Sequence, residues 1–269
     1  MDETMLAANR ANWDARTAVH VGSRFYDVEG WLEEGRGPRP WEAEELGDVT
    51  GRTLLHLQCH LGLDTLAWAR AGAEVTGLDF SPAAVEAASD IARRAGLEHR
   101  SRFVCADVHR AAEALGGATY DVVYVSIGAL CWLPSVDRWA AQVGRLVRPG
   151  GRFYIHEDHP LTWAMADDTF DIENTYFEQP EPHVDDSDFT YTDGGGVEGA
   201  LRSFEWNHGL GETVSALIRH GLRPEWLHEH PWTLWPRWEV LVDDGHGRWW
   251  LPPGRPPMPL SFSLLATRT

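Results

Sequence analysis

The chain contains no lysine; all 23 of its basic residues are arginine. That absence excludes a protein-borne Schiff base, a P-loop lysine and a Tyr-x-x-x-Lys pair. Cysteine is scarce. Cys59, Cys105 and Cys131 are odd in number, form no C-x-x-C pair and sit among apolar residues, so reduced thiols in a cytoplasmic protein are expected rather than a disulfide framework. Long apolar runs are missing too. The longest uncharged stretch, Val122 to Val136, is broken by Ser126, Gly128, Pro134 and Ser135 and falls short of the roughly 20 residues of a spanning helix. Met1 to Asp14 has no basic segment followed by an apolar one, so no signal peptide is expected. Positive charge is in deficit: 23 basic against 41 acidic residues leave a net charge of −18, a field that repels nucleic acid and anionic lipid.

What is present suits a packed globular protein. The 269 residues are 43% hydrophobic and 24% charged. Residues 3–20 read as a helix, and 35–40 as a turn or linker. From Thr53 onward short apolar strands alternate with helices. Strands are expected at 53–57, 74–78, 102–106, 120–126 and 152–156, with helices at 64–71, 82–95 and 135–146. Ser81-Pro82 supplies an N-cap and a first-turn proline for the second of these helices. Such alternation predicts a mostly parallel sheet with helices on both faces. After His159 it breaks. Residues 160–203, with Pro180, Pro182, the acids Asp185, Asp186 and Asp188 and the run Gly194-Gly-Gly196, read as an inserted lid with a solvated acidic surface. A helix at 210–219 and closing strands at 224–230 and 260–266 follow.

In an open α/β sheet ligands bind beyond the carboxyl ends of the strands. The residues found there are Gln58-Cys-His-Leu-Gly62, Asp79, Ala106-Asp107-Val108, Ser126-Ile-Gly128 and His156-Glu-Asp-His159. An acid after the second strand is placed to accept hydrogen bonds from two ribose hydroxyls. One after the third can accept from an adenine amino group. Gly62 provides a tight turn for close backbone approach.

Taken in order, Leu54-Leu-His-Leu-Gln-Cys-His-Leu-Gly62, Val75-Thr-Gly-Leu-Asp79-Phe-Ser, Ala106-Asp107-Val108, Tyr120-Asp-Val-Val-Tyr-Val-Ser126 and Arg148-Pro-Gly-Gly151 resemble the class I S-adenosylmethionine-dependent methyltransferases, and more narrowly a bacterial small-molecule branch. The resemblance covers roughly residues 50–159. It implies a Rossmann-like, mostly parallel seven-stranded sheet flanked by helices. Around it stand an N-terminal helical cap (1–48), a cofactor-binding core (49–159), a lid (160–205) and a C-terminal part of the core (206–269). It implies S-adenosylmethionine held by Gln58, Cys59, His60, Gly62, Asp79, Phe80, Ser81, Ala106, Asp107, Val108 and Ser126. A leading segment that folds over the cofactor would contribute Tyr26 and Arg16, with Trp13 and His20 beside them, and Arg16 matches a carboxylate. The sequence departs from the pattern where His56 replaces the usual first-strand acid and Gln58 and His60 replace two glycines. His56, mid-strand, reads as a satisfied core histidine.

For a base that takes a proton from the acceptor, the candidates are His159 first, His208 second, and His156, with Glu157 orienting an imidazole. No metal is expected, because His156-Glu-Asp-His159 lacks the H-E-x-x-H spacing. Fourteen tryptophans, seven of them after residue 200, suit an aromatic, heterocyclic or amine-bearing substrate. The other functions to weigh are a nicotinamide-dependent oxidoreductase, whose G-x-G-x-x-G is missing, a non-catalytic cofactor-binding protein, and different chemistry on the same cofactor. The expected partners are a small-molecule substrate and at most a second copy of the chain, as a homodimer.

Overall fold

The computed structural model describes residues 3–193 and 195–269. Met1, Asp2 and Gly194, the last being the start of the lid's glycine run, lie outside the described residues. Three helices lead: α1 Glu3–Val21, α2 Val28–Glu34 and α3 Pro40–Leu46. Then β1 Thr53–Leu57, β2 Glu74–Asp79, β3 Ser101–Cys105, β4 Tyr120–Val125 and β5 Val147–Asp158 pair in parallel, in the order β3-β2-β1-β4-β5. Two later strands, β6 Leu222–His230 and β7 Ser261–Arg268, complete the seven-stranded sheet, with β7 antiparallel between β5 and β6. Helices α4 Leu63–Arg70, α5 Pro82–Arg94, α6 Ala111–Ala114, α7 Val136–Leu146, α8 Pro160–Ala164 and α9 Leu210–Arg219 fill the connections.

The side-chain period of two divides the core. Leu55, Leu57, Val123, Val125, Phe153 and Ile155 face α7 and α9, meeting Trp139, Val143, Ala216 and Leu217. Leu54, Val122, Tyr124 and Tyr154 face the other way, onto Leu46 of α3 and Trp68 of α4. Burial on both sheet faces explains the near-continuous apolar runs. The Ser81 hydroxyl caps α5 by accepting from Ala84 N–H at 3.1 Å, with Pro82 in the first turn. β5 is longer than the sequence pattern suggests. Val147 already pairs with Tyr120, and the Pro149-Gly-Gly151 step is a register shift inside the strand, not a gap before it.

Residues 160–206 carry α8 and a short antiparallel ribbon, His183–Asp185 with Ser203–Glu205. Helix α1 locks onto this segment. The Asn9 amide donates to Phe204 O (2.8 Å) and accepts from Phe204 N–H (2.7 Å), while Asn12 donates to Leu201 O (2.7 Å). Between β6 and β7 a three-stranded ribbon, Trp232–Thr233, Val242–Asp243 and Trp249–Trp250, adds a tryptophan-rich flank. Cys59 and Cys131 are buried, but Cys105 is exposed, so the apolar surroundings expected for it are not found. Among the described residues no helix is long and apolar enough to cross a membrane.

Candidate active site

β1 delivers the chain to the switch point of the sheet, because β2 lies on one side of it and β4 on the other. There Gln58 and His60 hold positive φ, 58° and 46°. A Cβ crowds the following carbonyl oxygen there, at a cost of about 1–2 kcal/mol per residue. Hydrogen bonds hold the turn in it. His60 N–H donates to Asp79 Oδ2 (2.8 Å), Cys59 N–H to Leu78 O (3.0 Å) and Gln58 Nε2 to Ala129 O (2.7 Å). Gly62 has φ 70°. A Cβ there would stand 2.7 Å from the Phe103 ring and 2.9 Å from Ala88 Cβ, so it is packing against β3 and α5 that demands glycine.

Asp79 ends β2 buried, accepting from His60 N–H and, through Oδ1, from Ser81 N–H at 2.9 Å. Burial raises its carboxyl to about 6, against the pull of those backbone donors. Ser81 is fully engaged in capping α5, and its hydroxyl donates to Asp14 of α1, which also takes Ala83 N–H at 3.2 Å. Phe80 is half-buried, its carbonyl facing the Cys105 thiol. After β3, Ala106 N–H donates to Asp79 O, Asp107 caps the next turn by accepting from His109 N–H (2.9 Å), and Val108 is buried. The Ser126 hydroxyl and the Thr65 hydroxyl satisfy both nitrogens of His56, at 3.0 and 2.8 Å. Burial lowers His56 to about 4, so it is a neutral core histidine.

Helix α1 covers this turn. Its buried stripe is polar: Asn9, Asn12, Arg16, Thr17 and His20. Arg16 is only 6% exposed, and its guanidinium lies 5.8 Å from the rings of Trp13 and Trp132. Among the described residues it has no hydrogen-bond acceptor and no ion pair. The opposite charge that bears on it is the Glu205 carboxylate, which feels the guanidinium without hydrogen-bonding it, so Arg16 keeps donors free for an anion brought by a ligand. Other buried polar atoms without partners belong to the same region: Gln58 Oε1, His60 Nδ1, Thr192 Oγ1 and Trp206 Nε1. The Tyr26 hydroxyl meets that of Tyr191 in the lid at 2.5 Å, and its ring lies 5.4 Å from His60. Asp14, Trp132, Thr190 and Tyr191 are site residues that no sequence motif marks.

The four proposed proton-handling residues are brought near the strand ends but hold other posts. The β-strand alternation separates His156 from Glu157. His156 faces α3, 3.7 Å from Glu42 and 5.2 Å from the Trp232 ring, away from the mouth. Glu157 gathers the loop after β4. Its carboxylate accepts from Gly128, Ala129 (2.8 Å), Leu130 (3.0 Å) and Asp158 (2.9 Å) N–H groups, which leaves nothing to orient an imidazole. Burial, with the charge of Asp158, nevertheless pushes it up to about 7. His159 caps α8: Nδ1 accepts from Leu161 N–H (3.1 Å), and Nε2 lies 3.1 Å from Glu229 Oε1. Its one lone pair is therefore in use. His208 Nε2 donates to Leu133 O and Nδ1 meets Glu178 Oε2, both at 2.8 Å, tying the lid to the loop before α7.

Beside these residues a small cavity of about 10 Å3, room for one water, is lined by Cys131, Asp158, Trp163, Trp206, His208 and Phe262. Asp158 is held by Thr233 Oγ1 and Trp235 Nε1, each at 2.8 Å. An open groove of about 460 Å3 at the amino ends of β1 to β4 lies at the wrong edge of the sheet for such a site, and Arg100 and Arg102 in it are already hydrogen-bonded. Among the described residues no group of three or more His, Cys, Asp or Glu side chains is arranged to hold a metal ion.

Residues 55–153 match the family model described as a methyltransferase domain. A ubiquinone biosynthesis O-methyltransferase of Aeromonas salmonicida is 29% identical over 139 residues, 50% of this chain and 57% of that protein. A sterol 4-C-methyltransferase of Caenorhabditis elegans is 28% identical over 103 residues, 38% of this chain and 30% of that protein. The match thus spans little more than half of one relative and less than a third of the other. In fold, an S-adenosylmethionine-dependent methyltransferase of Mesorhizobium loti superposes with a TM-score of 0.55 at 20% identity, covering 90% of this chain and all of that one. Sheet order and sequence match agree: residues 55–153 match a methyltransferase domain, and the fold is the one seen in the S-adenosylmethionine-dependent methyltransferase of Mesorhizobium loti.

Proposed function

We propose that the protein transfers a methyl group from S-adenosylmethionine to a small molecule that is aromatic, heterocyclic or amine-bearing. The observation that carries this reading is the convergence of unpartnered polar groups, Arg16 above all, on the turn after β1, beside Asp79. They fit the cofactor group by group. Asp79 serves the ribose and Asp107 the adenine, Arg16 the carboxylate, and Gln58 Oε1 the ammonium. When bound, the cofactor supplies a methyl already activated on a sulfonium. The task of the chain is to align the acceptor and exclude water, which α1 and the lid do together. His208 has both nitrogens in hydrogen bonds and the Nδ1 lone pair of His159 caps α8, which favours positioning over a histidine base.

The acceptor's place is beside Trp163, Trp206 and Phe262, where the one-water cavity must widen by movement of residues 160–208 to admit a ring or a cation. The nicotinamide reading gains nothing, since Gln58-Cys-His-Leu-Gly62 is not G-x-G-x-x-G. The net charge of −18 speaks against nucleic acid as partner, and the aggregation state, monomer or homodimer, is read by sedimentation. A panel of small aromatic and amine acceptors, incubated with protein and cofactor and read by mass spectrometry, tests the reading. A product heavier by one methylene supports it. A protein that binds the cofactor and methylates nothing across phenols, heterocycles and amines argues for the non-catalytic reading.

A further inference from the structure

A chain of three hydrogen-bonding side chains links the lid to the cofactor turn. Thr190 Oγ1 lies 2.7 Å from His20 Nε2, and His20 Nδ1 lies 2.8 Å from His60 Nε2. Thr190 is 5% exposed and His20 is fully buried. The far end of the chain, His60 Nδ1, is buried and has no partner among the described residues. His60 stands on strained backbone at φ 46°, a conformation a glycine would hold without strain, and its ring is wedged by Trp13 at 4.9 Å and Tyr26 at 5.4 Å. The turn directs the imidazole toward α1, where it meets His20.

The direction of the chain follows from donor and acceptor arithmetic. Two arrangements exist for neutral rings. In one, Thr190 donates to His20, His20 to His60, and Nδ1 carries the proton. In the other, His60 donates to His20, His20 donates to Thr190, and Nδ1 is a bare lone pair. Burial and the Arg16 charge hold His60 well below the usual histidine range, and burial brings His20 to about 3, so both rings are neutral at physiological pH. The neighbours of Nδ1 choose between the arrangements. Gln58 Nε2 is spent on a carbonyl, so Gln58 Oε1 is an acceptor only. Arg16 is the cation of the site. The Arg16 charge bears on the His60 ring and favours a lone pair over an N–H at Nδ1, which makes Arg16, Gln58 Oε1 and His60 Nδ1 together the complement of a zwitterion: carboxylate to Arg16, ammonium to Gln58 and His60.

Building on the methyltransferase reading, we propose that Thr190 and His20 are positioning residues acting through His60. They hold the ring in place and take up the His60 Nε2 proton through His20, so that the Nδ1 lone pair receives the α-ammonium of the cofactor's amino-acid end. This chain takes over the work of the acid that His56 replaces, and it makes binding of that end dependent on a lid hydroxyl.

The test uses the full chain and two probes that share a nucleoside, S-adenosylhomocysteine and methylthioadenosine; the second lacks the amino-acid end. Binding is measured by calorimetry for wild type, Thr190→Val, Thr190→Ser and His60→Gln, and ring-nitrogen shifts of His60 by NMR in the S-adenosylhomocysteine complex. Thr190→Val and His60→Gln should weaken S-adenosylhomocysteine roughly tenfold, as loss of a hydrogen bond to a charged group predicts, and leave methylthioadenosine within about twofold. Thr190→Ser should restore binding, and His60 Nδ1 should be unprotonated. Equal losses for both probes, no loss for either, or a proton on Nδ1 overturns the relay. Failure of wild type to bind either probe overturns instead the cofactor reading on which it rests.

Discussion

Asp79 ties the site's electrostatics to its pH behaviour. Its folded pKa, about 6, lies above the ordinary 3.8, so ionising it opposes folding. That destabilisation is absent below about pH 4 and complete above about pH 6, at most about 3 kcal/mol. Only the ionised form accepts from two ribose hydroxyls. Affinity for S-adenosylhomocysteine should therefore fall as pH drops through about 6, and titrations of Asp79→Asn should show weak binding without that inflection. An inflection that persists in the variant assigns it to another group. Glu157 makes the opposite kind of prediction. Removing a carboxylate that serves several backbone N–H groups leaves them buried and unsatisfied, so Glu157→Ala should destabilise the fold by roughly 3 kcal/mol in urea unfolding. A variant of wild-type stability that is merely slow would return Glu157 to catalysis. At this scale the sequence reveals position but not occupation. Glu157 and His159 stand at the end of β5 as their place in the sequence implies, yet only the fold shows that a helix N-terminus and a loop claim their lone pairs. Arg16 is legible as a carboxylate partner; its burial between two tryptophans is not, because Trp132 lies more than a hundred residues away.

Among the elements, the strands are the most readable. β1 is legible to the residue, and the helix 210–219 likewise, since apolar runs and Gly-Pro punctuation mark both ends. Helices α2 and α3 are not legible: each has seven residues, too few for a periodicity to show. The polar stripe of α1 is visible in principle, because Asn9, Asn12, Arg16 and His20 recur at spacings of three and four. It escapes a search for apolar faces, which is how a helix is ordinarily oriented from its sequence. That stripe is what holds residues 201–204 against α1. Asn9→Ala with Asn12→Ala should leave the sheet folded but speed protease cleavage near residues 194–196 and raise amide exchange over 186–205. S-adenosylhomocysteine should protect this segment in wild type and much less in the double variant. Equal cleavage with and without ligand, in wild type, would count against a lid.

The whole molecule is an acidic α/β domain whose sheet reverses strand order between β1 and β4, and that reversal places every proposed cofactor contact at one edge. With no lysine in the chain, neither a P-loop nucleotide site nor a Tyr-x-x-x-Lys oxidoreductase can be built on this sheet, and the excess of acid favours a small ligand over a polyanion. What the turn after β1 binds is therefore the point on which the rest depends. Titration calorimetry of the full chain with S-adenosylhomocysteine, beside Asp79→Ala and with NAD as control, addresses it in one measurement. The prediction is one saturable site in wild type, no heat with NAD, and affinity lowered by at least tenfold in Asp79→Ala, the equivalent of about 1.4 kcal/mol or more. No binding in wild type, or affinity unchanged in Asp79→Ala, would contradict it.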